Sequence, residues 1–110
     1  NTTISRDSIS TDTLEKGGLS GKPIFDISTK QLRMAYKYTN GKIPLIGVGG
    51  VDSAEKAYEK IKNGASLIQL YTGLVYNGPN LIKDINEDLS SLIERDGYSN
   101  ISEAVGAEVN

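Results

Sequence analysis

Two short apolar runs, each followed by a glycine-containing turn and then a helical pattern, constrain the fold of this 110-residue chain most strongly. The first run covers Ile43 to Val48, and the second covers Leu67 to Leu70. A compact apolar run bounded by turn signals is typical of a strand that is buried on both faces. Strands that alternate with helices favour a parallel sheet with right-handed crossovers. Because two strands cannot close such a sheet, we expect this chain to be a fragment that needs strands from elsewhere.

Three helical patterns surround these strands, and each has a start signal and a stop signal. The first begins at Ser28, which forms a capping box with Gln31. The second begins in the same way at Asp52, with Glu55 three residues on, and the third begins near Asn80. Each pattern ends at a polar residue followed by glycine: Asn40-Gly41, Asn63-Gly64 and Asp96-Gly97. Apolar residues repeat at helical spacing within the three patterns: Leu32, Ala35 and Tyr36; Ala54, Ala57, Tyr58 and Ile61; Leu81, Ile85, Leu89, Leu92 and Ile93.

Composition excludes several classes of function. The formal net charge of −2, with both signs interspersed, argues against a basic nucleic-acid surface. The chain has no cysteine and no histidine, so it offers neither a thiolate nucleophile nor the commonest general base and metal ligand. We therefore assign no catalytic residue and no metal site to it. The carboxylates of Asp84, Glu87 and Asp88 lie in the third helical pattern, where a solvated face is expected.

The first 22 residues are polar and rich in Ser, Thr and Asp, and they end in the glycine-rich stretch Gly17–Gly21. This is loop composition, and long loops in compact domains are often functional. A disordered tail explains the composition equally well. The start at Asn1, without methionine, indicates an interior cut, so we expect any targeting or anchoring segment to lie in a missing N-terminal part.

The segment Gly47-Val48-Gly49-Gly50 ends the first apolar run and stands just before a helix start. Glycines at such a place let backbone N–H groups approach an anion, and the helix N-terminus behind them adds partial positive charge. The alternative is a tight strand-to-helix turn that binds no ligand.

The second apolar run leads into Tyr71-Thr72-Gly73, which supplies two hydroxyl groups and a glycine. In (β/α)₈ barrels the loops after the last two strands, together with a short extra helix, frequently build a phosphate site. The alternatives are a barrel-packing aromatic for Tyr71 and a helix cap for Thr72. Taken together, the two strand ends favour phosphate binding. The lysines Lys16, Lys22 and Lys42 are near enough in sequence to reach an anion, although lysines near loops usually serve solubility.

Five segments, in this order and spacing, resemble class 2 dihydroorotate dehydrogenases: Asn1–Arg6, Gly17–Pro23, Ile46–Val51, Gly64–Thr72 and Asn100–Ala107. The resemblance covers nearly the whole chain, and five motifs in register are far more specific than one. It implies an α/β fold in which this chain is the C-terminal part of a (β/α)₈ TIM barrel and supplies its last two strands and their helices. Residues 1–25 would then be an active-site loop, and residues 26–110 would be the last βα units and the terminal helices.

The same resemblance implies an activity, a cofactor and partners. The activity is oxidation of dihydroorotate to orotate in de novo pyrimidine biosynthesis, with FMN as the cofactor and a membrane quinone as the electron acceptor. The family's serine base and its flavin-contacting lysine lie upstream of Asn1, in the missing N-terminal part of the barrel. The implied location is the mitochondrial inner membrane in a eukaryote, or the cytoplasmic membrane in a bacterium.

Individual residues of this chain match the family's binding positions. Asn1 and Thr2 match the pair that binds the orotate ring. The cofactor-binding candidates are Gly21, Gly50, Tyr71 and Thr72, which match FMN contacts, and Gly49, which lies beside them with Ser20. Leu74 and Pro79 fall where the family's quinone passage runs near the flavin.

Two other functions stay open on the residues alone. A phosphosugar isomerase or aldolase-type barrel could use the same phosphate loops, and a non-catalytic binding module could be built on part of a barrel. The Asn1-Thr2 pair and the Leu19-Ser20-Gly21 loop favour the dehydrogenase, since a generic phosphate-binding barrel has no reason to carry them.

Overall fold

The structure is a computed structural model, and it describes residues 18–109 of the chain. The helices within that range are α1 (Phe25–Thr39), α2 (Ala54–Lys62), α3 (Thr72–Asn77) and α4 (Asn80–Arg95). The strands are β1 (Leu45–Val48) and β2 (Ala65–Gln69). Short 3₁₀ helices cover Lys22–Ile24, just before α1, and Ile101–Ala104, after α4.

The strands β1 and β2 pair in parallel, which confirms the predicted sheet direction. In the ladder Ile46 lies opposite Leu67, and Gly47 lies opposite Ile68. The side chains of Ile46 and Leu67 are 55% and 65% exposed. The prediction that both faces are buried is therefore wrong for this chain, because helices of the described range cover one face and leave the other bare.

The core lies where α2 packs against the sheet on one side and against α4 on the other. The predicted inner faces of these two helices are confirmed, since the positions of α2 are buried and those of α4 are buried or packed against the core. Each fully buried aliphatic side chain contributes roughly 1.5–3 kcal/mol relative to exposure. The second strand-to-helix unit is thus held to the first both by the pairing of β1 with β2 and by the packing of α2.

Two predicted helix starts are wrong, for one physical reason. The helix α1 begins at Phe25, so Ser28 lies inside the helix. The Ser28 hydroxyl lies 3.2 Å from the Gly49 carbonyl oxygen, to which it can donate a hydrogen bond. The cap of α2 is Ser53, whose Oγ accepts from the Lys56 N–H at 3.3 Å, and Asp52 makes ion pairs instead. A polar residue near a helix start has several competing partners, and only the tertiary fold decides between them.

The predicted helix ends at Asn40-Gly41, Asn63-Gly64 and Asp96-Gly97 are confirmed. Asn40 is left-handed, with φ at 51°, as is common for a residue that ends a helix. The strands begin at positions that differ by two residues from the prediction, since β1 starts at Leu45 and β2 at Ala65.

Candidate anion-binding edge at the strand ends

The candidate site lies at the carboxyl edge of the sheet, where β1 and β2 end side by side. Here the "first turn" denotes residues Gly49–Ser53, between β1 and α2, and the "second turn" denotes Leu70–Gly73, which follows β2 and includes the first two residues of α3. Ligands of parallel α/β folds bind at this edge, because the loops there carry helix N-termini and free backbone amides.

The glycines of the first turn are required by packing. Gly49 and Gly50 have φ values of 109° and 73°, which L side chains rarely adopt. A Cβ at Gly50 would lie 2.6 Å from Phe25 Cβ, and one at Gly49 would lie 2.7 Å from Ser28 Oγ. Phe25 and Ser28, at the start of α1, therefore pack directly against Gly49 and Gly50. The alternative of a tight turn explains both glycines without a ligand, so the glycines alone do not indicate an anion and the amide groups have to.

Several backbone N–H groups at this edge have no acceptor among residues 18–109, and those of Gly50, Thr72 and Gly73 are of most interest. Within residues 18–109, no group accepts a hydrogen bond from the amides of Gly50, Thr72 or Gly73. Thr72 and Gly73 open α3, where helical geometry leaves the first N–H groups without a partner. A Cβ at Gly73 would lie 2.6 Å from the Val51 carbonyl oxygen, so α3 begins against the first turn. The free amides of both turns thus share one edge.

A third segment, Ser20-Gly21, closes this edge from the side. Ser20 Oγ lies 2.9 Å from Thr72 Oγ1, within hydrogen-bond distance. Gly21 has φ at 82°, and a Cβ there would lie 3.0 Å from Thr72 Cγ2. The structure therefore brings Gly21 and Thr72 into contact, although they are far apart in sequence.

An ion-pair cluster ties this third segment to the first turn. Asp52 Oδ2 lies 3.3 Å from Lys22 Nζ, and Asp52 Oδ1 lies 3.2 Å from Lys56 Nζ. Partial burial raises the pKa of Asp52, but hydrogen bonds and charge from Lys56 and Lys22 outweigh it and lower the pKa overall. Asp52 is therefore a carboxylate at neutral pH, and it engages Lys22, one of the lysines considered as an anion ligand.

The remaining candidates are placed as follows. Tyr71 is 76% exposed, so it does not pack into a core of the described chain. Tyr71 is also the residue just before α3, so Thr72 is the first residue of that helix and not its cap. Leu74 packs partly against the core, and Pro79 is exposed. Asn1 and Thr2 lie outside the described residues.

Sequence reasoning missed one residue near the first turn, Lys60 of α2. Its side chain is fully buried, and its ammonium donates to the Phe25 carbonyl oxygen at 3.4 Å and to Ser28 Oγ. From the sequence, Lys60 is one of three lysines on a short helix and looks like a solvated residue. The signal that could have indicated its burial is Gly47, whose missing side chain leaves room beside β1.

The described range contains neither a metal-binding cluster nor a membrane-spanning helix. No group of acidic side chains between residues 18 and 109 is arranged to hold a metal ion, and Asp84, Glu87 and Asp88 are exposed, as expected. Over the same residues, no helix has the length and hydropathy needed to cross a bilayer.

A parallel strand pair with helices packed on it, and with free amides at its carboxyl edge, defines the class of protein: an α/β segment of the kind that builds a (β/α)₈ barrel. Crystal structures agree with this class. A ligand-free DHODH from Eimeria tenella matches all of this chain with a TM-score of 0.91 and 36% identity, and this chain spans 31% of it. The ferulenol complex of DHODH from the same organism gives a TM-score of 0.90.

Sequence comparison gives the family. A family model described as dihydroorotate dehydrogenase matches residues 1–93. The mitochondrial dihydroorotate dehydrogenase (quinone) of Arabidopsis thaliana is 57% identical over 98% of this chain, and the dihydroorotate dehydrogenase (quinone) of Nautilia profundicola is 48% identical over 99% of it. This chain belongs to the dihydroorotate dehydrogenase family. It spans 24% of the Arabidopsis protein and 30% of the Nautilia protein.

Proposed function

We propose that the complete protein containing this segment oxidises dihydroorotate to orotate and passes the electrons through FMN to a membrane quinone. Membership of the dihydroorotate dehydrogenase family and the names of relatives that are 48–58% identical support this activity. They also favour it over an isomerase or aldolase-type barrel. In this proposal the segment binds cofactor and substrate, while the catalytic base and the other barrel strands belong to the N-terminal part.

The chain's own contribution to cofactor binding is a grip on the flavin phosphate. The amides of Gly50, Thr72 and Gly73 are free of described acceptors, and Gly21 and Ser20 lie against Thr72. A phosphate dianion accepts several N–H hydrogen bonds at once, which fits a set of donors gathered from two turns. When bound, FMN supplies the hydride-accepting ring; these residues would hold its phosphate end and so fix its position. The free amides are the single observation that carries this proposal.

The substrate contacts proposed for this chain are Asn1 and Thr2. An amide and a hydroxyl at neighbouring positions can donate and accept hydrogen bonds, as recognition of a ring with alternating N–H and C=O groups requires. Asn1→Ala in the full-length protein should raise the KM for dihydroorotate and leave the flavin content unchanged. A loss of flavin with an unchanged KM would contradict the assignment.

The names of the relatives and the positions of two residues support a role for a quinone and a membrane. We place the quinone passage near Leu74, which lies in α3, and Pro79, which immediately precedes α4. Membrane association follows from the quinone, and the mitochondrial names of the plant relatives favour the mitochondrial inner membrane, with the cytoplasmic membrane as the bacterial counterpart.

The proposal is tested on purified full-length protein by its visible absorption spectrum and by turnover. We expect a flavin band and reduction of a quinone that depends on dihydroorotate. A protein with no flavin band, even after FMN is added and the excess is removed, would overturn the dehydrogenase proposal. A flavin band without turnover would instead support the non-catalytic binding module.

A further inference from the structure

The buried Lys60 of α2 forms hydrogen bonds with two residues at the start of α1. Its side chain has no exposed surface, although lysine is among the residues least often buried completely. Besides its two hydrogen bonds, the ammonium lies 4.8 Å from the centroid of the Phe25 ring, a favourable cation–π distance. Burial lowers the pKa of Lys60 to about 8, and the charges of Glu59 and Asp26 partly oppose this shift.

The contacts of Lys60 lead directly to the diglycine of the first turn. An ammonium can only donate, so the hydroxyl of Ser28 accepts from Lys60 and must direct its own proton to a carbonyl. The two carbonyl oxygens within reach are those of Gly49 at 3.2 Å and Phe25 at 3.0 Å. Since a carbonyl can only accept, Ser28 donates to one of these two oxygens, and the donation from Lys60 holds the Ser28 hydroxyl oxygen beside the Gly49 carbonyl.

The second contact of Lys60 acts on Gly50. Phe25, whose carbonyl oxygen accepts from Lys60, is the residue that a Cβ at Gly50 would meet at 2.6 Å. Both glycines of the first turn thus rest on residues that Lys60 holds in place. Loss of the ammonium would remove a donor from the partly buried Ser28 hydroxyl and the longest of the side-chain contacts to the Phe25 carbonyl, which also accepts from Thr29 Oγ1 at 2.7 Å. Polar groups that lose a partner away from water are costly.

The fold makes room for this lysine at Gly47. A Cβ there would lie 3.2 Å from Lys60 Cβ and 2.9 Å from Ala65 Cβ, so a side chain on β1 would displace the helix. An apolar side chain of similar length would fill the space beside β1 without the desolvation cost of a cation. A charged group in this place therefore indicates a role in orienting the polar groups around it.

We propose that Lys60 is a positioning residue that, through Ser28 and Phe25, holds the first turn in the conformation that presents the Gly50 amide to the flavin phosphate. This inference rests on the phosphate grip proposed above. Lys60 has no contact with the ligand in this account, and its effect passes through the two residues of α1.

The test compares FMN with riboflavin, which has the same ring system but no phosphate. Apoprotein is prepared from the full-length protein, and the Kd of each flavin is measured by the quenching of flavin fluorescence. We expect Lys60→Met to reduce the preference for FMN over riboflavin about tenfold, since it removes a charge-assisted hydrogen bond from the residues that support the first turn. The Kd of riboflavin itself should change little. Lys60→Arg, which keeps a buried donor, should recover part of the preference.

A matched control is Lys62→Met on the same helix. The ammonium of Lys62 pairs with Glu108 at 2.8 Å, away from the first turn, so this variant should keep the wild-type preference. Ser28→Ala removes one hydroxyl and should lower the preference in the same direction as Lys60→Met, and it serves as the second variant if Lys60→Met does not fold.

The outcomes separate this inference from the proposal on which it rests. If Lys60→Met raises the Kd of FMN and of riboflavin by the same factor, or changes neither Kd, Lys60 is only structural and the inference is overturned. If the wild-type protein shows no preference for FMN over riboflavin, the phosphate grip itself fails. A wild-type preference that falls in Lys60→Met and Ser28→Ala, but not in Lys62→Met, supports both.

Discussion

The first and second turns occupy equivalent places, each where a parallel strand leads into the following helix, yet their surroundings differ. The first turn is enclosed by α1, and its glycines touch Phe25 and Ser28. The second turn is open, with Tyr71 76% exposed. The helix that follows the first turn, α2, is capped by the side chain of Ser53, whereas α3, which begins in the second turn, has no side-chain cap.

This difference shows that the two turns would contribute to a ligand site in different ways. The first turn is closely packed against α1, so its conformation is set by these contacts. The second turn presents the free amides of Thr72 and Gly73, together with a hydroxyl that Ser20 contacts. Changes in the first turn should therefore affect stability and binding together, while changes in the second should affect binding with little loss of stability.

The largest effect is expected for Gly50→Ala in the apoprotein, where no phosphate is present. The new Cβ would meet Phe25 Cβ at 2.6 Å on a residue with φ at 73°. Strain and overpacking together should cost about 3–5 kcal/mol of unfolding free energy. The matched control is Gly78→Ala, where φ is 78° and no atom lies within 4 Å, so only about 1–2 kcal/mol should be lost. Equal losses in denaturant unfolding would show that the first turn is not set by packing.

A second effect concerns pH and Lys60. The pKa of Lys60 is about 8 in the fold and near 10.5 when unfolded, so between these values the unfolded chain binds more protons and stability rises with pH. The gain is at most about 3 kcal/mol. We expect the difference in unfolding free energy between wild type and Lys60→Met to grow from pH 7 to pH 10 in favour of wild type. A difference that stays constant over this range would contradict the buried, perturbed lysine.

A smaller effect is expected at the second turn from Thr72→Val. This change removes the hydroxyl that lies 2.9 Å from Ser20 Oγ but keeps the shape of the side chain. The Kd for FMN should rise roughly fivefold, equivalent to about 1 kcal/mol, while the melting temperature stays close to that of wild type. Thr39→Val, which removes a hydroxyl bonded within α1, is the control and should leave the Kd unchanged. A large loss of stability in Thr72→Val would show that the second turn is structural as well.

The smallest effect is expected for Asp52→Asn, since its partner Lys22 is mostly exposed and such pairs contribute about 0.2–1 kcal/mol. The pKa of Asp52 is lowered in the fold, so its contribution is present above the unfolded pKa and is lost as pH falls through the folded pKa. Denaturant unfolding should show the variant's full deficit at pH 7, and the deficit should shrink as the pH is lowered below the unfolded pKa of 3.8. Asp84→Asn, on the exposed face of α4, should show none. A deficit that persists at acid pH would contradict the ion-pair account.

Much of this fold could be predicted from the sequence, because the apolar periodicity of α2 and α4 and their glycine stop signals reflect local rules. The start of α1 could not, because Ser28 has a cap-like position in sequence but its hydroxyl is held by Gly49 and Lys60. The same tertiary contacts hid the role of Lys60. The two glycines of the first turn were predicted to matter, but the reason that the structure gives is contact with α1.

The central claim is that the amides of the first and second turns hold the flavin phosphate. A crystal structure of the full-length protein with FMN bound tests this claim most directly. We predict phosphate oxygens within about 2.7–3.2 Å of the backbone nitrogens of Gly50 and Thr72. A phosphate bound elsewhere, with both amides facing water, would contradict the account.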